Sequence, residues 1–326
     1  MKVKKNQLRV ILGTMTFGGQ TGRQEAARML ENFLPGEVDT ARMYERGRTE
    51  ELLGEMLPKG TLVASKANPF ATHDKSLAPA SIEAQLKATE EALRGAPLSI
   101  YYLHAPDPET PILETLEAIN AAHSAGRFLE FGLSNFQAWE VAHIAALCRE
   151  NGFVVPTVYQ GMYNALTREV ERELLPCLRA LGMRFYAYNP LMGGMLTGKH
   201  SRESLVKASE GRFALSNKMY RDRYLAASQL EAVEAIVAAC REASIKPGHA
   251  ALRWLVHHSH LKENDGVIIG ASKVAHFEDN LGALQSEDPL PTPLLKACDA
   301  GWATIQAHGC CPSYERGHSK YGDDDE

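Results

Sequence analysis

Short apolar runs alternate with longer stretches of helical spacing along almost the whole chain. The runs fall at Val10–Thr14, Glu37–Ala41, Thr61–Lys66, Ile100–His104, Glu130–Ser134, Thr157–Gln160, Arg184–Tyr188 and Gly266–Ile269. Most are continuously apolar rather than alternating, the pattern of parallel strands covered on both faces. Between them, Arg23–Phe33, Thr49–Leu57, Ala80–Arg94, Pro111–Ala125, Ala138–Glu150 and Glu169–Leu181 carry apolar residues at helical spacing. Pro79 and Pro111 suit first-turn positions, and Gly126 and Gly182 suit helix stops. Later helices are predicted at Leu225–Ala243, Pro247–His257, Val274–Leu284 and Pro293–His308. Eight strands with intervening helices and no linker predict a closed (β/α)8 TIM barrel. An open doubly wound sheet is the runner-up. When that fold binds a dinucleotide it usually carries GxGxxG after its first strand, and GTMTFGG (13–19) lacks that spacing.

The strand ends carry the chemistry. In a barrel, loops after the strands converge at one mouth, and functional groups gather there. Asp39 lies near the end of the second strand; Lys66 ends the third and His104 the fourth. Ser134 and Asn135 end the fifth, Gln160 the sixth and Tyr188 the seventh, while Gly270 and Ser272 follow the eighth. Any one of these could be a solvated rim residue, and Tyr44 alone could be a loop aromatic. Together they form a device for protonating an oxygen that gains negative charge. A tyrosine, with a reference pKa of about 10, is a protonated donor near neutrality. A nearby Lys66 ammonium stabilises the tyrosinate left behind, and each unit of pKa lowering is worth about 1.4 kcal/mol. Asp39 can hold Lys66 in place, and His104 can orient the substrate oxygen. A carbonyl receiving hydride is such an oxygen.

Composition narrows the class. The 326 residues are 44% hydrophobic and 23% charged, enough apolar material for a large core. The net charge of −5 comes with no basic stripe for nucleic acid and no basic amphipathic segment for a membrane surface. No apolar run has the length of a bilayer span or follows the basic start as a signal peptide would. There is no GxxxxGK[ST] loop and no HExxH metal helix. The six cysteines form no CxxC pair, which points to reduced thiols and a cytoplasmic protein. The expected organisation is one barrel domain over 1–312, with a C-terminal helix and loop, and a polar acidic tail over 313–326.

Taken in order, VDTARMY, ASKANPF, YYLHAPD, FGLSNF, VYQGMYN, FYAYNPLMGGMLTGK and GASKVAHFEDN resemble the aldo-keto reductase superfamily over nearly the whole chain. Within it, KANPF, YLHAPD, YQGMYNALTREVE and RFYAYNPLMGGMLTGK are most similar to the aflatoxin-aldehyde reductase or succinic semialdehyde reductase subfamily. The resemblance implies a metal-free, NADPH-dependent reductase of aldehydes and ketones. It implies Tyr44 as proton donor in a tetrad with Asp39, Lys66 and His104. Ser134, Asn135 and Gln160 match residues that hold the nicotinamide carboxamide, and Tyr188 matches the aromatic that stacks on its ring. Asn189, Pro190, Leu191, Gly193, Gly194 and Lys199 match the loop along the pyrophosphate. Ser272, Lys273, His276, Asp279 and Asn280 match the segment around the adenosine 2′-phosphate and adenine. Arg212 matches a further cofactor-binding arginine.

In the same subfamily, Tyr220, Arg223 and Arg316 match contacts to acidic substrates, and a guanidinium pairs well with a carboxylate. Arg223, in YRDRY, reads equally well as a surface helix salt bridge. Departures are local: ten residues follow Arg316, His276 stands where many relatives carry Arg or Gln, and Ile269 replaces a common proline. The expected partner is a small carbonyl substrate. A homodimer is a possible state that no residue decides. The alternative function is a non-catalytic regulatory subunit that binds nicotinamide cofactor.

Overall fold

The computed structural model describes residues 8–71 and 75–312, with the backbone of 2–3. Arg316 and the expected acidic tail lie outside the described residues. Among these residues, eight parallel strands close into a barrel: β2 (Leu8–Gly13), β3 (Glu37–Asp39), β4 (Val63–Ala67), β5 (Leu98–Leu103), β6 (Phe128–Ser134), β7 (Val158–Met162), β8 (Arg184–Tyr188) and β9 (Gly266–Ile269). Each pairs in parallel with the next, and β9 pairs with β2 to close the ring. A two-residue strand, β1 (Lys2–Val3), runs antiparallel to the start of β2.

Helices cover the outside: α1 (Arg23–Phe33), α2 (Arg48–Met56), α3 (Pro79–Ala92), α4 (Ile112–Ser124), α5 (Ala138–Glu150) and α6 (Leu174–Leu181) follow β2, β3, β4, β5, β6 and β7 in turn. After β8 come two short helices, α7 (Arg202–Val206) and α8 (Lys218–Tyr224), then α9 (Ala227–Glu242) and α10 (Pro247–His257). After β9, α11 (Val274–Leu284) and α12 (Thr292–Ala307) complete the shell, with α12 packed on α9. Pro79 stands in the first turn of α3 as expected, whereas Pro111 is the cap that precedes α4. The helix expected over Glu169–Leu181 is broken into a 3₁₀ turn at Glu169–Glu171 and α6. Pro176 explains the break. It lacks an amide hydrogen and would clash with the carbonyl four residues back, so it fits only a first turn.

Strand alternation sorts the apolar residues into two cores. Val10, Leu12, Tyr101, Leu103, Phe131, Leu133, Tyr159 and Phe185 face outward into the layer shared with the helices. Ile11, Ala64, Ile100, Tyr102, Val158, Tyr186 and Ile268 fill the barrel interior. Gly132 makes room there, since a Cβ would come within 2.4 Å of the Tyr102 ring. One step below this layer, Arg9 bonds Glu37 (2.9 Å) and Arg184 grips Glu130 with two bonds (3.0 and 3.1 Å). One step above it, the same period of two brings Asp39, Lys66, His104, Ser134, Gln160 and Tyr188 to the inward-facing phase.

Candidate active site

The upper layer is built around a buried ion pair. Lys66 is wholly buried on β4, and its Nζ lies 2.6 Å from Asp39 Oδ1 and 2.6 Å from the Thr40 carbonyl oxygen. The second Asp39 oxygen accepts from the Gln160 amide at 2.9 Å. Burial pushes the Asp39 carboxyl up, against the pull of Lys66 and Gln160. Burial likewise pushes the Lys66 ammonium down, against Asp39 and the more distant Glu50. Two rings flank the ammonium, Tyr44 at 5.3 Å and Tyr102 at 5.6 Å to their centroids. Tyr44 opens a 3₁₀ turn just beyond β3, and its ring meets His104 edge-on at 5.9 Å. Asp39 at the end of β3, Tyr44 after it, Lys66 on β4 and His104 after β5 are thus gathered at one end of the barrel. Lys66 stands one residue before the end of β4 and His104 one residue past β5.

Around this group opens a cleft of about 1210 Å³ that includes Asp39, Tyr44 and His104 in its wall. On one side Asn135, in the left-handed region (φ 62°), donates to the His104 carbonyl at 2.8 Å and to Ser134 Oγ at 3.0 Å. Its own carbonyl accepts from the Tyr188 hydroxyl at 2.7 Å. Ser134, Asn135, Gln160 and Tyr188 all line the cleft. Asn189, Pro190, Leu191, Gly193, Gly194 and Lys199 continue the wall. Gly194 sits at φ 108°, a conformation that side chains resist, so the backbone there is bare toward the cleft. Arg212 donates to Asn189 Oδ1 (3.2 Å) and to the Tyr220 hydroxyl (3.1 Å), tying this loop to α8.

At the far end Ser272, His276, Asp279 and Asn280 face the cleft. Lys273 instead is exposed and forms no part of the wall. Asp279 is already engaged, by Lys246 Nζ at 2.8 Å and by His249 at 2.9 Å, and Lys246 holds its carboxyl below the usual range. The N-terminus of α11 accepts a protein carboxylate: the Val274 amide donates to Glu25 at 2.6 Å.

Arg223 makes no ion pair among the described residues, so the surface salt bridge is not formed. Its guanidinium lies 5.8 Å from both the Tyr220 and Tyr224 ring centroids, with Nη1 buried and unpartnered. Tyr220 is 3% exposed, and both residues line the cleft. The sequence reading missed an apolar rim. Met15, Met43, Phe70 and Met219 are each more than a third exposed on the cleft wall. Exposed methionines and phenylalanine in one cleft were readable only after the loops were placed. Among the described residues no group of three His, Cys, Asp or Glu could hold a metal ion, and no helix is long and apolar enough to cross a membrane.

Comparison with known proteins agrees with this architecture. The family model described as "Aldo/keto reductase family" matches residues 9–302. Aflatoxin B1 aldehyde reductase member 2 of Mus musculus is 44% identical, covering 94% of this chain and 87% of its own. Aflatoxin B1 aldehyde reductase member 4 of Homo sapiens is 41% identical, over 93% and 96%. The oxidoreductase sirO of Leptosphaeria maculans is 35% identical, over 91% and 94%. The chain belongs to the aldo/keto reductase family.

Proposed function

We propose that this protein reduces aldehydes or ketones to alcohols with NADPH, and that Tyr44 protonates the carbonyl oxygen. One observation carries the reading: a wholly buried ammonium, held by a buried carboxylate, lies beside a phenol at the floor of a large cleft. Bound reduced nicotinamide supplies the hydride. Lys66 stabilises the tyrosinate that forms when Tyr44 gives up its proton. Asp39 keeps Lys66 charged and in place, with Gln160 on its other oxygen. His104 directs the substrate oxygen toward the phenol.

The wall chemistry fits the cofactor. Its volume exceeds the roughly 300–1,000 Å³ of an ordinary small-molecule site, leaving space for a dinucleotide with a substrate. Ser134, Asn135 and Gln160 offer amide and hydroxyl groups for the carboxamide, and Tyr188 an aromatic face. The bare backbone at Gly194, with Gly193 before it and Lys199 beside it, suits a pyrophosphate. Arg212, Ser272 and His276 offer cationic or hydroxyl donors for a 2′-phosphate, which favours NADPH over NADH. Asp279 and Asn280 bound the adenine end. Arg223 and Tyr220 suit a substrate carboxylate, supported by the unpartnered Nη1 of Arg223. The names of the mammalian relatives support an aldehyde as substrate.

The test is Tyr44→Phe in an NADPH-oxidation assay across nitrobenzaldehydes and succinic semialdehyde. The variant should bind NADPH and lose turnover. Wild-type turnover in Tyr44→Phe would remove the proton-donor role. NADPH binding by the native protein without turnover on any carbonyl would favour the regulatory reading instead.

A further inference from the structure

On the outer side of β4, opposite the face that carries Lys66, lies a second buried carboxylate. Glu50 on α2 has its side chain wholly shielded from solvent. Its Oε1 accepts from the hydroxyls of Ser65 (2.6 Å) and Thr89 (3.0 Å), and its Oε2 pairs with the Arg42 guanidinium. Those partners come from β4, α3 and the connection between β3 and α2. Ser65 is the residue beside Lys66, and Arg42 stands two residues before Tyr44.

The backbone between Tyr44 and α2 is strained. Glu45 (φ 47°), Arg46 (φ 58°) and Gly47 (φ 94°) are three consecutive left-handed residues, two of them with side chains. Such a conformation persists only where its surroundings over-determine it. Arg48 also bonds the Glu45 carboxylate and carbonyl (3.2 Å each), but Arg48 is well exposed and water competes with it. The buried Thr49 hydroxyl anchors the first turn of α2 to the Phe17 carbonyl (2.8 Å) and leaves the left-handed residues themselves to Arg42. The Arg42 guanidinium lies across Gly47 so closely that a Cβ there would overlap Nη2.

We propose that the Arg42–Glu50 pair is a positioning device for the Tyr44 phenol, clamping the left-handed turn to the barrel wall behind Lys66. The proposal rests on the reading of Tyr44 as proton donor. Neither Arg42 nor Glu50 lines the cleft, so they act through the turn and not on substrate. Proton transfer is sensitive to small displacements of the donor, which is where the clamp enters the rate.

The test compares native protein with Arg42→Met/Glu50→Gln, which removes both charges so that neither stays buried alone. With 4-nitrobenzaldehyde and NADPH, the single-turnover rate should fall about 10²-fold. KM for the aldehyde and Kd for NADPH should change by less than about threefold. The solvent deuterium isotope effect on that rate should rise, and amide exchange at residues 44–48 should accelerate. Arg42→Lys, which keeps the charge but not the fork, should show the same signature with a smaller loss. It also serves as the test if the double variant does not fold. A variant that binds NADPH with wild-type rate and isotope effect overturns the clamp. So does a rate loss equal to the lost fraction of NADPH-binding sites, which would make the pair a stability element alone. Tyr44→Phe run in parallel separates the two ideas. If it is inactive while the double variant is normal, only the clamp falls; if it is fully active, both fall.

Discussion

Replacing Lys66 by methionine removes the one charge on which the proposed chemistry turns while preserving most of its volume. The Lys66 nitrogen sits 5.3 Å from the centre of the Tyr44 ring, over which a tyrosinate spreads its charge. At that separation and an effective dielectric of about 20, Coulomb's law gives about 3 kcal/mol of stabilisation for the developing anion. At about 1.4 kcal/mol per decade, the chemical step should slow by about 10²-fold. The variant also strands Asp39 as a buried carboxylate with Gln160 as its remaining side-chain partner, at about 3–5 kcal/mol of fold stability. The two effects separate in a second variant, Asp39→Asn/Lys66→Met, which removes both charges. Thermal denaturation should show its Tm returning toward that of the native protein, whereas single-turnover NADPH oxidation should stay slow. Chemistry at the native rate in folded, NADPH-saturated Lys66→Met would refute the electrostatic role of Lys66. Recovery of the rate along with Tm in the double variant would refute it equally, because stability alone would then explain the loss.

Other consequences are open to direct measurement. Burial lowers the Lys66 ammonium pKa, so its charge is present at low pH and lost on the alkaline side earlier than for an ordinary lysine; kcat should therefore fall at high pH, and a profile flat to pH 11 would contradict this. Arg223→Met should raise KM for succinic semialdehyde by about tenfold and leave 4-nitrobenzaldehyde nearly unchanged, as expected for loss of one charge-assisted contact. Tyr102 buries a hydroxyl with no hydrogen-bond partner among the described residues, so Tyr102→Phe should raise stability by about 1 kcal/mol in urea denaturation. Glu130 is pushed up by burial, but the Arg184 and Thr157 bonds outweigh this and leave its carboxyl below the usual range. Its contribution is therefore full above the unfolded pKa and lost as pH falls through the lower folded value, and Glu130→Gln should flatten the acid limb of a Tm-against-pH curve.

The barrel was legible because its strands are buried on both faces and so stand out as unbroken apolar runs. Two of the eight, Arg184–Tyr188 and Gly266–Ile269, match residue for residue. Others shift at their ends. Thr40 and Ala41 leave the ladder after Asp39, and Phe128 and Leu129 extend β6 backward. The β1 hairpin was hidden, since two residues carry no period. Helix α7 was hidden for the same reason, since it spans little more than one turn, and α8 showed only as the helical alternative for Arg223 in YRDRY. That Asp39, Lys66 and His104 stand at strand ends, and so at one mouth of a barrel, could be read from the apolar runs. Which partners they take could not, because the Gln160 bond to Asp39 joins residues 121 positions apart. Lys273 looked like a phosphate ligand by sequence, but the turn into α11 directs it to solvent and brings His276 and Asp279 to the wall.

The single storey shared by Asp39, Lys66, His104, Ser134, Gln160 and Tyr188 makes this protein brittle in one respect and free in another. Deleting or inserting one residue inside β3, β4 or β7 would rotate the key group to the helix side of the wall, so frame slips there abolish chemistry even if the barrel closes. The connections around Met15, Met43, Phe70 and Met219 obey no such parity. Their lengths and side chains can diverge without moving the storey beneath, so a library confined to them should change which carbonyl compounds are accepted and leave the proposed proton-handling groups in register.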